Sequence, residues 1–366
     1  MEKIKINYCA FLNSSGYSQA AQDLILALYK SKKYNISLSA FPGGNRTSSI
    51  SPNRRKIFSE MEKTEKDKDA IQIFHCIPTI QKRIPKNKKN IGFATFETFS
   101  PPSEWINILN TNDAMISPSE FNYKIFSHER IVKPIFYIPH CLDFDIFNEN
   151  IVPMKKFDKF TFLFFGTWKK RKGYEVLIEA WLNEFSSEDN VQLVIKTDRV
   201  VESKKYIEGI KKHFLKDKGF SPIIYESNII EDYKLPSFLK SFSCLIAPGS
   251  GEGFGLPGLQ CMSLGIPIII TNFAGSKDYA NNETATLIEP KGFIFKKDMD
   301  GIPQFKDKKW AFIDRKDVQS KMREVFENYD SIKEKSRYGA EVVREKFNYS
   351  RIENMFYQML GQIYGF

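Results

Sequence analysis

An α/β fold made of two doubly wound parallel sheets follows from three features of the sequence. Short apolar runs alternate with amphipathic helical stretches along most of the chain, and strands alternating with helices form parallel sheets covered on both faces. The alternation is interrupted at 148–159 (NENIVPMKKFDK), a polar, proline-containing stretch that reads as a linker. The length of 366 residues corresponds to two domains at roughly 150 residues each. The expected division is therefore 1–150 and 151–349, with the helix at 350–364 treated separately below.

In the first half, 4–12 (IKINYCAFL) reads as a strand, followed by a helix over 17–30 that puts Ala20, Ala21, Leu24 and Leu28 on one face. Further strands are expected at 35–41, 70–76, 91–97, 113–117 and 134–139, with helices at 103–110 and 119–127. The second half begins with FTFLFF in a strand over 160–166, then a helix over 173–185 and a strand over 191–196. Helix 202–216, strand 222–226, helix 231–241, strand 243–247, helix 256–264 and strand 266–271 complete it. Residues 291–311 are basic and irregular, which suits a surface excursion. The tail 315–364 is helical, and Met355, Phe356, Met359, Leu360 and Ile363 form one apolar stripe suited to docking on a domain. A membrane-surface helix is the alternative, although its polar face carries few cations.

The chain is 42% hydrophobic and 27% charged, ordinary for a globular protein and far from disordered, collagenous or coiled-coil usage. Its net charge of +10 favours acidic partners: nucleotide phosphates, nucleic acid or an anionic membrane surface. The basic runs 82–89, 169–172 and 306–309 lack aromatic interleaving, which disfavours nucleic acid. The run at 82–89 reads first as a solvated surface, with peripheral contact with anionic lipid at the inner face of a membrane as the alternative. Five cysteines stand at 9, 76, 141, 244 and 261 without a CxxC pair, so buried free thiols in a reducing, cytoplasmic compartment are expected. Neither a signal-peptide apolar region nor a run near the bilayer-spanning length is found.

The most informative stretch is 247–271, APGSGEGFGLPGLQCMSLGIPIIIT. A strand ends at Pro248; Gly249, Gly251, Glu252, Gly253 and Gly255 form a flexible loop; Pro257 suits a first helical turn. Small residues let backbone N–H groups approach a ligand, and the helix start favours phosphate. Glu252 and Gln260 supply a carboxylate and an amide able to hold hydroxyl groups. The second motif, FGTWKKRKGYEVLIEAW (165–181), is a strand, a basic loop and an amphipathic helix. A third, FLNSSGYSQAAQDLIL (11–26), places Gly16 at a strand-to-helix turn. Two more are IQIFHCIP (71–78), with His75 at a strand end, and IGFATFETFSPPSEW (91–105), with Glu97. Asp143 and Asp145 form a D-x-D triplet of the kind that can hold a divalent ion on a diphosphate.

EGFGLP followed by a helix and GIPIIIT resembles the donor-site signature of the retaining family-4 (group 1) glycosyltransferases, whose GT-B fold has two Rossmann-like domains. ISPSEFNYKIF (116–126) and YIPHCLDFDIF (137–147) match two further landmarks by position. The resemblance implies a metal-independent enzyme that moves a sugar from a nucleotide-diphosphate sugar to an acceptor hydroxyl. Surface polysaccharide, lipopolysaccharide and glycoconjugate assembly are the settings it suggests. The donor would be held by Arg171, Lys172, Glu252, Gly253, Phe254, Gly255, Leu256 and Gln260 in the C-terminal domain, with the Gly16 loop beneath its phosphates. His75 and Glu97 would lie by the transferred sugar and the acceptor, a glycan, lipid-linked or protein hydroxyl. The last helix, 350–364, would return to the N-terminal domain. No metal or cofactor is implied, and the D-x-D triplet falls where the family has a turn.

Two positions depart from the family pattern. Gln260 stands where a second Glu is usual, and Thr167 where an Arg is usual, so Lys169, Lys170 or Arg171 is left to supply the missing charge. These departures keep open a non-catalytic paralogue that binds sugar or a partner; a nucleotide-sugar epimerase on the same scaffold is a further alternative.

Overall fold

The computed structural model describes residues 2–42, 46–214 and 219–365. The chain forms two compact units. One comprises Met1–Asp145, Ile229–Tyr233 and Arg344–Phe366; the other comprises Ile146–Asn228 and Lys234–Val343.

The first unit holds strands β1 (Ile4–Phe11), β2 (Tyr34–Phe41), β3 (Ile71–His75), β4 (Lys89–Phe93), β5 (Ala114–Ser117) and β6 (Ile135–Tyr137). They form one parallel sheet in the order β2-β1-β3-β4-β5-β6. The near-continuous apolar strands reflect a sheet covered on both faces. Ile6, Tyr8, Ile73, Ile91 and Phe93 pack in one core with Leu24, Ile25 and Leu28 of the helix Gly16–Ser31. Ser15 caps that helix by accepting a hydrogen bond from the Ser18 N–H. The expected stripe at the end of the chain joins the same core: Ile352, Phe356, Met359 and Leu360 of the helix Tyr349–Tyr364 are buried there.

The second unit holds β7 (Phe160–Phe165), β8 (Val191–Lys196), β9 (Ile223–Glu226), β10 (Cys244–Ala247), β11 (Ile268–Thr271) and β12 (Thr286–Ile288). These also form a parallel sheet, in the order β12-β11-β10-β7-β8-β9. Phe162 of β7 meets the ring of Trp181 in the helix Tyr174–Glu184 and that of Phe185, which caps its C-terminal end.

Several stretches differ from the expected elements, among them the strand expected at 91–97, which spans Lys89–Phe93. The helix expected over 231–241 is a short turn, Asp232–Lys234, followed by the helix Leu235–Leu239; Pro236 removes a backbone donor and resets the helix start. The helix expected over 202–216 spans Val200–Lys211, and positions 215–216 lie outside the described residues. The excursion 291–311 is not irregular. It contains an antiparallel pair, β13 (Phe293–Lys296) and β14 (Lys308–Ala311), with Trp310 fully buried. A helix over Pro52–Lys63 was not expected at all, because charged residues obscure its two buried positions, Phe58 and Met61. All five cysteines are buried and unpaired. Among the described residues, no helix is long and apolar enough to cross a membrane.

Candidate functional site

In the second sheet, β7 and β10 are neighbours, but the chain leaves β7 toward β8 and leaves β10 toward β11. Connections that diverge in this way open a crevice at the carboxyl ends of the two strands, where ligands of doubly wound sheets bind. The two loops there are 166–173 and 248–255. They touch directly: the Ser250 N–H donates to the Arg171 carbonyl at 2.8 Å. Gly173 makes this approach possible. Its φ is +77°, and a Cβ would stand 1.9 Å from the Pro248 carbonyl oxygen. Gly255, at φ +92°, turns the second loop into the helix Leu256–Ser263, and the Tyr279 hydroxyl donates to its carbonyl at 2.7 Å.

The side chains of both loops converge on one carboxylate. Lys172 Nζ pairs with Glu252 Oε1, and an Arg171 terminal nitrogen lies 3.6 Å from Oε2 and 3.5 Å from the Gly251 carbonyl oxygen. These three side chains are only 16–23% exposed. Burial pushes the Glu252 carboxyl up, but Lys172 and then Arg171 outweigh it and hold the group below the usual carboxylate range. Both cations thus point into the same space beside Glu252, where they can turn to an anionic ligand. The recess they border is floored by Phe164, Ala247, Pro257 and Ile270.

The other basic residues of the loop are engaged elsewhere. Lys170 Nζ pairs with Glu175 at 3.3 Å, and Lys169 Nζ donates to the Asp300 carbonyl at 3.3 Å. Of the three candidates to replace the charge missing at Thr167, Arg171 is thus the one that reaches Glu252. Gly253 contributes backbone at the loop, its carbonyl oxygen standing close against Gly275. Phe254, Leu256 and Gln260 are buried, and Gln260 is the fifth residue of its helix. Tyr279 and Asp300 escaped the sequence reading; Tyr279 lies in an unremarkable stretch, and Asp300 in the segment taken as irregular.

The first unit repeats the arrangement at β1 and β3, which are also adjacent with diverging connections. Gly16 is exposed and opens the helix after β1, while His75 ends β3 opposite Ala10. His75 is fully buried, with Nδ1 2.7 Å from the Tyr8 hydroxyl and its ring stacked on Phe93 at 3.9 Å. Burial, reinforced by His140, holds its pKa well below 6.5. Burial alone pushes His140 down to about 3. The Tyr17 ring lies edge-on to His75 at 5.3 Å, and half-buried Glu97 acts electrostatically on the Tyr17 hydroxyl. Gly16, His75 and Glu97 are therefore grouped around Tyr17, which the sequence reading passed over although it follows Gly16 directly.

Two sequence features have local partners. Asp143 and Asp145 both receive Lys30, at 3.1 and 3.0 Å, and Asp143 also faces Arg54. Among the described residues, no group of three or more His, Cys, Asp or Glu is arranged to hold a metal. In the run 82–89, Lys82 pairs with Glu104, Lys86 donates to the Thr111 carbonyl, Lys88 pairs with Asp69 and Lys89 lies over the Tyr364 ring.

Residues 159–296 match the family model of the glycosyl transferases group 1. Protein CapJ of Staphylococcus aureus is 26% identical over 200 residues, covering 54% of this chain and 46% of CapJ. Alpha-1,3/1,6-mannosyltransferase ALG2 of Homo sapiens is 22% identical over 254 residues, 60% of each chain. The chain spans between a third and three fifths of the length of the curated relatives it matches. Sucrose-phosphate synthase from Thermosynechococcus elongatus superposes with a TM-score of 0.69 at 13% identity over 99% of both chains. HepE of Anabaena, solved with UDP and glucose, gives 0.65 at 11% identity over 98% of this chain and 100% of its own. The fold common to these structures is GT-B.

Proposed function

We propose, from the match of residues 159–296 to the glycosyl transferases group 1, that the chain transfers a sugar from a nucleotide-diphosphate sugar to an acceptor hydroxyl. The convergence of Lys172 and Arg171 on Glu252, at the divergence of β7 and β10, carries this reading. A departing nucleoside diphosphate gains negative charge as the glycosidic bond lengthens. Two fixed cations in a partly dry recess stabilise that charge as it develops. The N-terminal end of the helix Leu256–Ser263 adds backbone donors to the same phosphates. Glu252, released from Lys172 and Arg171 by the phosphates, becomes an acceptor for hydroxyls of the sugar, and Gln260 offers an amide for the ribose. Because the cations come from the protein, transfer proceeds without a divalent ion; retention of anomeric configuration is what the resemblance to the retaining glycosyltransferases implies. The acceptor is a glycan, lipid-linked or protein hydroxyl presented near Gly16, His75 and Glu97.

The placement of Arg171 also answers the departure at Thr167, since the loop still delivers two cations. This favours a catalyst over a non-catalytic paralogue. Calorimetric titration with UDP, the nucleotide bound by HepE, and with GDP and ADP tests the reading. At least one should bind, and Lys172→Ala should weaken it about tenfold to a hundredfold, the worth of a charge-assisted hydrogen bond. Unchanged affinity would remove Lys172 from the site. With the donor identified, transfer should persist in EDTA, and the product's anomeric proton coupling should match that of the donor.

A further inference from the structure

The segment between β13 and β14 lies beyond the family match, which ends at 296, yet it reaches the basic loop of the proposed site. Asp300 alone meets three consecutive residues of that loop. Its carbonyl accepts from Lys169 Nζ at 3.3 Å, its Oδ1 accepts from the Lys170 N–H at 2.5 Å, and its Oδ2 stands 3.9 Å from Arg171 Nε. The carboxylate is 1% exposed, and Oδ2 has no hydrogen-bond partner. A second residue of the segment, Phe305, sets its ring 5.7 Å from the Arg171 guanidinium. The backbone at Asp300 is left-handed, with φ +64°, a conformation that glycine adopts at lower cost.

We propose that Asp300 is a positioning residue for the donor diphosphate, acting through Arg171; the proposal rests on the donor-site reading above. A guanidinium carries five donors in a rigid fork. Its terminal nitrogen faces Glu252. When a diphosphate takes the terminal nitrogens, Nε closes the remaining distance to Asp300 Oδ2, so the fork is gripped from behind by a buried carboxylate and flanked by Phe305. The bond from the Lys170 N–H meanwhile fixes the short turn Lys170–Lys172 from which both cations project.

The test uses the full chain and calorimetry with two probes, UDP and inorganic pyrophosphate, the second lacking any base or sugar. Asp300→Ala should weaken both by about tenfold, and Asp300→Asn, which keeps the acceptor for Lys170, by less. In an Arg171→Ala background, Asp300→Asn, which keeps the acceptor for the Lys170 N–H and so the turn that carries Lys172, should add nothing, because the pathway through Arg171 is already lost. A purely structural role would give additive losses, and additivity overturns the proposal. Equal binding by wild type and Asp300→Ala also overturns it while leaving the donor site intact. Failure of wild type to bind UDP, GDP, ADP or pyrophosphate would instead sink the donor-site reading and the proposal with it. Should Asp300→Ala fail to fold, the cycle with Asp300→Asn decides alone.

Discussion

His75 and His140 are neutral for a physical reason that can be measured. Both rings are buried, and burial holds both pKa values below the ordinary 6.5. Below pH 6.5 the unfolded chain takes up protons that the folded rings refuse, so stability is full above that value and falls as the pH drops. Each histidine contributes a slope of up to about 1.4 kcal/mol per pH unit, and the pair about 2.7. Urea unfolding at pH 7.5, 6.0 and 5.0 should show this loss, and His140→Asn should halve the slope. A flat profile would mean that the imidazoles charge within the folded protein. Legibility at this scale was uneven. Lys172–Gly173 and EGFG could be picked out because their chemistry and their glycines are local. Asp300 could not, because its meaning arises only where its carboxylate meets a loop some 130 positions earlier.

At the scale of elements, periodicity located nearly every strand of both sheets, since strands buried on both faces are short apolar runs between polar turns. Strand β12 was missed because three residues, Thr286–Ile288, leave too little pattern to see. The hairpin of β13 and β14 was hidden by lysines on its exposed side; only Trp310 and Ala311 are buried on the second strand. The helix Tyr349–Tyr364 shows the opposite case, a strong apolar stripe that named its own role. Phe356 is fully buried, edge-on to Tyr34 at 6.1 Å. Phe356→Ala should cost about 3–5 kcal/mol of stability, the usual penalty for deleting a buried aromatic ring. Chemical denaturation measures it, and a loss below 1 kcal/mol would show that the helix contributes little to the core.

At the scale of the whole molecule, the chain crosses between its two units four times, at 145/146, 228/229, 233/234 and 343/344. The two inner crossings bracket Ile229–Tyr233, a five-residue return to the first unit that no sequence pattern announced. Arg54 secures it. The guanidinium, 13% exposed, lies 3.1 Å from Asp23, 3.4 Å from Asp232 and 3.8 Å from Asp143. The Ser51 N–H and the Tyr349 hydroxyl donate to Asp232 and Asp23 at 2.8 and 2.6 Å. Removing one partner of a buried charge cluster strands the others, so Arg54→Ala should destabilise by about 3–5 kcal/mol. Limited proteolysis should then cut within 229–233 faster than in wild type; equal rates would show that other contacts hold the segment.

The return of the last helix also sets an order in time. The core begun by Ile6, Leu24 and Ile36 is completed by Ile352 and Phe356, roughly 300 positions later. A ribosome adding about 5–20 residues per second needs on the order of 15–60 s to cover that span. Throughout that interval the first unit presents an uncovered apolar face to the cell, while the second, whose residues emerge between the two halves of that core, can close on itself. The unit that starts first is therefore finished last, and during synthesis it is the part with most need of a chaperone.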